Sequence, residues 1–387
     1  MKIVIDARFF GTETGIGRYI KELVKNLEKI DSVNHYVIFL ARKNFDLYQP
    51  KNKNFTKKMA DIKWYGLKEQ LFFGKMIDGE KADLCHFPHF NVPLFCKTPY
   101  VLTIHDLILR HFPTSASSTK NPIIFYIKYF FYNFILKNAL RRAKKIIAPS
   151  YFVRNDIIKN FGGDSRLRGN DKGLMADKIR VIYEGVSVLP QLDSGTDFLK
   201  QKGIGERYIL YVGNAYPHKN LERLIEAFEI LKKEMPDLQL VLVGKNNYFY
   251  KRLAVSRKLL AVSFYGYASD EELATLYKHA SLYVFPSLME GFGLPPLEAL
   301  SFGLPSAVSD IPIFHEILGH AVFYFNPKDA NDMARAIGFG LRDTDKRNRI
   351  LEERMALLPR YNWQKNAGLT KEAYDGAQIF VRRGKIY

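Results

Sequence analysis

Two glutamates, Glu290 and Glu298, lie eight positions apart in the segment SLMEGFGLPPLEALSFGLP, residues 287–305, of a chain whose formal net charge is +18. The segment predicts a glycine-rich loop and then a helix that begins at the proline pair, with Glu290 in the loop and Glu298 in the first turn. Carboxylates placed in this way can accept pairs of hydrogen bonds from vicinal hydroxyls of a sugar. As ordinary helix-terminus acids, the same glutamates would need no ligand.

Lys219 is a candidate for contact with phosphate. The segment YVGNAYPHKN, residues 211–220, ends a predicted strand with a glycine and begins a helix near Pro217. An ammonium group beside a helix N-terminus acts on the same oxygens as the backbone dipole, which favours a diphosphate. A solvated lysine is the structural alternative.

Two segments of the first half offer further candidates. In GTETGIG, Gly11, Gly15 and Gly17 would let backbone amides approach an anion, although the spacing differs from that of a dinucleotide-binding GxGxxG motif. In TIHD, His105 and Asp106 follow a predicted strand, where a histidine can donate to a hydroxyl or a phosphate oxygen. Turn geometry and a buried structural histidine are the competing interpretations.

Short β-branched or apolar runs alternate with helical patterns, which indicates parallel α/β units. The predicted strands of the first half lie in KIVIDA, HYVIFLA, ADLCHF, YVLTIHD, KKIIAPS and KIRVIYEGV, and those of the second half in RYILYVGN, LQLVLVG, VSFYGY, SLYVFPS, PSAVSD and AVFYF. Ligands of such sheets bind beyond the carboxyl ends of the strands, where all the candidate residues fall. The sequence therefore predicts two doubly wound domains.

The predicted boundaries follow the polar and glycine-rich stretches. The first domain covers residues 1–188 and carries an exposed inserted loop at 162–177, to which no chemistry is assigned. A linker at 189–205 leads to the second domain at 206–360, and a helical region follows at 361–387.

Composition excludes several classes of protein. Cys85 and Cys96 are the only cysteines and lack metal-ligand spacing, so we expect a reducing cytoplasm and neither a disulfide framework nor a structural zinc. We also expect no cleavable signal and no membrane-spanning helix. Basic residues are dispersed and no recognition module is present, which argues against nucleic acid as a partner.

The positive charge is concentrated in residues 1–150, where about two Lys or Arg occur for every Asp or Glu. Within this part, residues 120–145 combine aromatic and aliphatic side chains with Lys128 and Lys137 and end in a basic cluster. An aromatic helix with a basic end can lie in the headgroup region of an anionic membrane. The alternative is a helix buried against the sheet of its own domain.

Taken together, these motifs resemble those of the retaining GT-B glycosyltransferases of family 4, group 1. The pair in MEGFGLPPLEALSFGLP is similar to their E-x7-E motif, and GTETGIGRYI, TIHDL, IIAPSYFVRNDI, YVGNAYPHKNLERLIEAF and YNWQKNAGLTKEAY follow in the expected order. The resemblance covers nearly the whole chain. It implies two Rossmann-like domains with an interdomain cleft and a C-terminal region that packs back on the first domain.

The resemblance also implies roles for the matching positions. Glu290 would contact the hydroxyls of the donor sugar, Glu298 the ribose of the nucleotide, and Lys219 the diphosphate. His105 would lie beside the transferred sugar. The remaining donor-site positions would be the loop glycines Gly15 and Gly17 and the amides of Phe292, Gly293 and Leu294.

One position departs from the family pattern. Many members have an arginine after the strand glycine, where this chain has Asn214, so phosphate stabilisation would depend more on Lys219 and the amides. Members with the residues GN followed by HKN resemble mannosyl- or rhamnosyl-type transferases. Such transferases assemble surface polysaccharides such as lipopolysaccharide.

The implied reaction moves a hexosyl group, for which mannosyl is the first candidate, from a nucleotide diphosphate sugar to an acceptor hydroxyl with retention. Neither a metal nor another cofactor is expected, and a lipid-linked glycan acceptor would place the enzyme at the cytoplasmic face of the membrane. A sugar-nucleotide epimerase of the same architecture, or a binding protein that never turns the donor over, would fit the same motifs.

Overall fold

The computed structural model describes residues 1–11, 14–113, 122–162, 171–187, 189, 197–246, 248–256 and 261–383. The chain forms two compact units. The first consists of Met1–Gly185 together with Tyr361–Tyr387, and the second consists of Val186–Arg360.

The first unit is built on a parallel sheet of seven strands in the order β3-β2-β1-β4-β5-β6-β7. The strands are β1 (Lys2–Asp6), β2 (His35–Leu40), β3 (Phe55–Met59), β4 (Leu84–Phe87), β5 (Tyr100–Thr103), β6 (Lys145–Ala148) and β7 (Ile179–Val181). The order reverses between β1 and β4, which is the point where open α/β sheets bind ligands.

Helices cover both faces of this sheet because alternate strand residues point to opposite sides. In β1, Ile3 and Ile5 enter one core cluster and Val4 enters the other. The helices between the strands are α1 (Gly15–Ile30), α2 (Gly74–Gly79), α3 (Ile108–His111), α4 (Pro122–Arg142), α5 (Tyr151–Phe161) and α6 (Asp171–Lys178), with a 3-10 helix at Arg42–Leu47 and a π-helix at Glu69–Phe73.

The second unit repeats this winding with six parallel strands in the order β10-β9-β8-β11-β12-β13. Its elements are α7 (Asp197–Gln201), β8 (Tyr208–Val212), α8 (Leu221–Glu234), β9 (Gln239–Val243), α9 (Tyr248–Ser256), β10 (Val262–Gly266), α10 (Asp270–His279), β11 (Leu282–Phe285), α11 (Leu294–Ser301), β12 (Ser306–Ser309), α12 (Pro312–Leu318), β13 (Phe323–Phe325), α13 (Ala330–Arg342) and α14 (Thr344–Leu357), with 3-10 helices at Pro217–Lys219 and Leu358–Arg360. Here the order reverses between β8 and β11.

The last helix, α15 (Trp363–Arg383), packs in the first unit. Its Tyr374 is fully buried, and the Tyr374 hydroxyl lies 2.8 Å from Nδ1 of His86 on β4. The Asn366 amide donates to the carbonyl of Tyr183 at 2.8 Å. These contacts join the end of the described chain to β4 and to the segment that follows β7.

Three details differ from the sequence-based expectation. Strand β3 was not predicted, and only its first residue is buried. The prediction of an inserted loop at 162–177 is wrong for its second part, because residues 171–178 form α6, in which Met175 is buried. Residues 163–170 lie outside the described residues. Within the expected linker at 189–205, residues 197–201 form α7, and the second unit begins at Val186.

Cys85 and Cys96 are both buried free thiols. Burial raises the pKa of each, that of Cys96 to about 12. In the described part of the chain, no helix is both long enough and apolar enough to cross a membrane.

Candidate active site

In the second unit, the segments that leave β8 and β11 are held together at the reversal of strand order. The backbone N–H of Leu288 donates to the carbonyl of His218 at 2.7 Å. Asn220, in the left-handed conformation with φ of 60°, donates its side-chain amide to the carbonyl of Pro286 at 3.1 Å. The segment at 217–220 and the loop at 286–293 are therefore joined to each other by hydrogen bonds.

Lys219 and Glu290 meet at this junction. Their Nζ and Oε1 atoms are 2.5 Å apart, and the side chains are only 12% and 10% exposed. The ammonium nitrogen also lies 5.2 Å from the centre of the Phe285 ring. Each charge of this largely buried pair compensates the other, so a substrate that carried phosphate and hydroxyl groups would have to offer both of them a new partner.

Glu298 lies one turn later than the sequence predicted. Helix α11 begins at Leu294, with Gly293 as its N-cap, so Pro295 and Pro296 occupy the first turn and Glu298 belongs to the second. Its carboxylate is 3% exposed and accepts a hydrogen bond from the Tyr277 hydroxyl at 3.3 Å. Tyr277, on α10, is a site neighbour that the sequence pattern did not reveal, because it lies within an ordinary buried helix face.

The turn before α11 requires a glycine. Gly293 has a φ of 104°, and a Cβ atom there would come within 2.9 Å of the Phe314 ring. Phe292 is buried and Leu294 is half-buried. Since the two prolines of the first turn have no N–H, any anion contact by backbone amides at this terminus must come from residues up to Leu294.

Asn214, which replaces the arginine of the family pattern, closes the turn after β8. Its side-chain oxygen accepts from the backbone N–H of Tyr216 at 3.2 Å, and its carbonyl accepts from the Tyr211 hydroxyl at 2.6 Å. Burial lowers the pKa of the nearby His218 to about 4, with the Lys219 charge acting in the same direction. His218 is therefore neutral near pH 7 and leaves Lys219 as the cation of this segment.

In the first unit, His105 follows β5 and is 13% exposed. Its Nδ1 lies 2.9 Å from Oε1 of Glu184, and its Nε2 lies 3.0 Å from the carbonyl oxygen of Pro88. Because a carbonyl only accepts, Nε2 donates a hydrogen to it, and Nδ1 forms a hydrogen bond with the Glu184 carboxylate. A substrate contact through Nε2 would therefore replace the hydrogen bond to Pro88.

Glu184 is the residue of this site that sequence reasoning missed. It is 4% exposed and follows β7, just as His105 follows β5. Its place in KIRVIYEGV, directly after a predicted strand, was the available signal. A small cavity beside His105 is bounded by residues from several elements, among them Ile16, His89, Phe90, Asp106 and Tyr132.

The two loop glycines differ in what they do. Gly17 is buried, its N–H donates to the Thr14 hydroxyl at 3.0 Å, and an added Cβ would lie 2.6 Å from the carbonyl oxygen of Phe9. Gly15 is exposed, and a Cβ there would meet nothing within 4 Å. Gly17 is therefore needed for the packing of α1, while Gly15 begins the helix at the surface.

Family models match both halves of the chain. The model described as Glycosyltransferase Family 4 matches residues 14–188, and the model described as Glycosyl transferases group 1 matches residues 196–354. The two matches meet near the boundary of the two units.

Curated relatives agree with these matches. The O-antigen chain mannosyltransferase RfbU of Salmonella typhimurium is 31% identical over 291 residues, which cover 74% of this chain and 72% of RfbU. The O-antigen chain mannosyltransferase B of Escherichia coli is 27% identical over 380 residues, which cover 93% of this chain and 96% of the relative.

Solved structures share the fold. The Anabaena protein HepE, in complex with UDP and glucose, superposes with a TM-score of 0.73 at 18% identity over 97% of this chain and 99% of HepE. WaaG, a glycosyltransferase involved in lipopolysaccharide biosynthesis, gives a TM-score of 0.67 at 15% identity, with 96% and 98% of the two chains covered.

Proposed function

Because this chain belongs to the family 4, group 1 glycosyltransferases and has their GT-B fold, we propose that it is a retaining hexosyltransferase that uses a nucleoside diphosphate sugar. The observation that carries the proposal is the Lys219–Glu290 pair at the reversal of strand order in the second unit. The oxygens of a diphosphate can replace Glu290 as the partner of the Lys219 ammonium, and sugar hydroxyls can replace Lys219 as the partner of the Glu290 carboxylate.

On the donor side, each residue has a distinct task. Glu290 binds hydroxyls of the transferred sugar, and Glu298 binds the ribose of the nucleotide. Lys219 stabilises the charge that develops on the leaving diphosphate, together with the amides up to Leu294 and the polar Asn214. This charge exists mainly in the transition state, so the ammonium lowers the barrier and not only the binding free energy.

The proposed chemistry takes place on one face of the sugar. The bond between the anomeric carbon and the leaving phosphate oxygen breaks, and the bond to the acceptor oxygen forms on the same side. The proton of the acceptor hydroxyl passes to the leaving diphosphate. Lys219 supplies the counter-charge in place of a metal ion, and His105, held by Glu184, contacts the transferred sugar.

For the transferred sugar we propose mannose, and for the acceptor a lipid-linked glycan of surface polysaccharide assembly at the cytoplasmic face of the membrane. The support is the similarity to RfbU and to mannosyltransferase B, both named as O-antigen chain mannosyltransferases. A lipid-linked acceptor is also compatible with the basic character of residues 1–150.

The test is a thermal-shift panel of nucleoside diphosphate sugars, with mannosyl and glucosyl donors, followed by turnover with each stabilising donor. We expect the mannosyl donor to stabilise the chain most and the product to keep the anomeric configuration of the donor by NMR. An altered sugar nucleotide formed without acceptor would identify an epimerase. Binding without any turnover across a range of glycan acceptors would identify a binding protein.

A further inference from the structure

Helix α4 is apolar on two sides, but only one of them is buried. Phe125, Tyr132, Leu136 and Ala139 face the core of the first unit. The opposite side is exposed over about three turns and carries Ile123, Ile124, Tyr126, Ile127, Phe130, Phe131 and Phe134. A helix that is apolar all round is normally buried on all sides, so the exposed side of α4 needs another explanation.

A second exposed apolar segment lies beside α4. It contains Tyr65, Leu67, Leu71 and Phe72, and the loop that precedes β5 adds Phe95. Leu67 is 82% exposed and Phe95 is 63% exposed, although each is a large apolar side chain. The sequence pattern did not single out this segment, because it lacks a long apolar run.

Contacts at two places join the segment to α4. At one place, the Phe90 ring lies between those of Tyr65 and Tyr132, with centroid distances of 5.9 Å and 4.8 Å. At the other, Gln70 accepts from the N–H of Leu94 at 3.0 Å, and Arg142 of α4 donates to the carbonyl of Leu94 at 2.7 Å. These contacts run through the buried side and the C-terminal end of α4, and they tie residues 65–72 and Phe95 to that helix. Residues 65–72, Phe95 and the exposed side of α4 are here together termed the basic aromatic surface.

The charge of this region is mostly positive, although the Asp78 carboxylate accepts hydrogen bonds from the N–H groups of Lys97 and Thr98 beside it. Residues 122–145 contain no Asp or Glu, and neither do residues 90–97. In residues 63–75 the only acid is Glu69, which is fully buried and paired with Arg8 at 2.6 Å. The basic residues of these three stretches are Lys63, Lys68, Lys75, Lys97, Lys128, Lys137, Arg141, Arg142, Lys144 and Lys145.

We propose that the basic aromatic surface docks on an anionic lipid bilayer. Exposed aromatic and aliphatic side chains can enter the headgroup region, and the surrounding lysines and arginines attract acidic lipids. The inference deepens the proposed function, on which it rests only for the acceptor. Phe90 contacts Tyr65 of the surface and, together with Tyr132, bounds the cavity beside His105, so docking would bring a lipid-linked acceptor close to this cavity.

The test uses the full chain and co-sedimentation with vesicles of phosphatidylcholine alone or mixed with phosphatidylglycerol, at low and high salt. We expect binding to the mixed vesicles that weakens with salt. The first variant carries Phe130→Glu and Phe134→Glu, and the second carries Leu71→Glu and Phe72→Glu. Met355→Glu is the matched control, because Met355 in the second unit is as exposed as Phe130, at 67%.

Each double variant should lower the partition coefficient about tenfold or more, because apolar burial is replaced by charge repulsion, while the control binds like the wild type. An effect of the α4 variant alone would overturn the role of residues 65–72. The absence of vesicle binding would overturn the whole proposal. A concentration-dependent dimer in which a second copy of the chain covers the surface would overturn it as well.

The outcome for the surface can be separated from the outcome for the function. Transfer to a soluble glycan without vesicle binding would contradict the membrane surface and leave the proposed function intact. Vesicle binding by a chain that transfers no sugar from any donor would support the membrane surface and contradict the proposed function. The double variants should keep their activity on the soluble acceptor, which also shows that they fold.

Discussion

The two units share one winding but use the reversal of strand order differently. In the second unit this point holds a nearly buried ion pair, Lys219 and Glu290, whose charges compensate each other until a ligand takes their place. In the first unit this point holds His86, on β4, and His89, just after it, both of which burial keeps neutral, while the His105–Glu184 contact lies beyond the neighbouring strands β5 and β7. The comparison teaches that a single topology offers the same location for binding, and that the side chains after the strands decide what kind of ligand this location suits.

The largest expected effect concerns the charged pair. Glu290→Gln removes the carboxylate that is proposed to meet the reacting sugar and leaves Lys219 without its counter-charge, so we expect the turnover number to fall about 10²- to 10³-fold. The affinity for the nucleoside diphosphate should change little. Initial rates at saturating donor and calorimetric titration of the diphosphate measure the two quantities.

Glu298→Gln is the matched comparison for this prediction. It removes a carboxylate that is proposed to meet the ribose, so diphosphate affinity should fall about tenfold and turnover at saturating donor much less. If both variants changed both quantities equally, the division of tasks between the two glutamates would be wrong.

The next effect is on the stability of the first unit. Burial lowers the pKa of His86 and of His89 to about 3, with the charge of His105 acting in the same direction. Because the unfolded chain binds these protons more readily, the stabilisation is complete above about pH 6.5 and is lost as the pH falls towards 3. Each histidine should cost about 2 kcal/mol of unfolding free energy between pH 7.5 and pH 5.

Hydrogen exchange of β4 and β5 amides at both pH values measures this loss in the first unit. In His86→Gln the loss between the two pH values should be smaller than in the wild type by about the contribution of one histidine. An equal loss in both proteins would mean that His86 is protonated in the folded state. His218→Gln is the control, because it should leave the first unit's loss unchanged.

Much of the fold could be predicted because periodicity is a local property. Of the thirteen strands in the described part of the chain, twelve fall in predicted runs, and the α/β class with two doubly wound domains is confirmed. Strand β3 escaped because FTKKM is a mostly exposed edge strand without an apolar run. Helix α6 was not predicted because its sequence is polar and contains a glycine. Burial of Met175 in the first unit stabilises this helix, and the sequence pattern does not reveal that burial.

For the candidate site, the sequence indicated residues but not the contacts that they make. Lys219, Glu290 and His105 were identified because they follow strands, whereas the Lys219–Glu290 and His105–Glu184 distances depend on how loops far apart in sequence meet. The turn assigned to Glu298 was wrong because the helix begins at Leu294 and not at the prolines. For α4 the sequence left open whether the helix is buried against the sheet or exposed at the surface. In the structure one side of α4 is buried and the opposite side is exposed.

A smaller effect should come from Glu184, which we infer to be a positioning residue for His105. Glu184→Gln keeps a hydrogen-bond acceptor at Nδ1 but removes the charge, so we expect turnover to fall about tenfold with little change in KM. Glu184→Ala should lower turnover further. Asp61→Asn, which alters an exposed ion pair with Arg42, is the control for loss of an acid in the same unit. A rise in donor KM without a fall in turnover would instead assign Glu184 to binding.

The smallest expected effect is that of removing divalent metal ions. In the proposed mechanism Lys219 and the amides at the start of α11 stabilise the leaving diphosphate, so dialysis against EDTA should leave initial rates nearly unchanged. Lys219→Met keeps the length of the side chain but removes the charge, and it should lower turnover in the presence and absence of metal alike. A loss of activity after EDTA that magnesium or manganese restores would show that a metal provides the counter-charge. The counter-charge in the second unit would then come from outside its own side chains, and the contrast between the two units would rest on Glu290 and Glu298 alone.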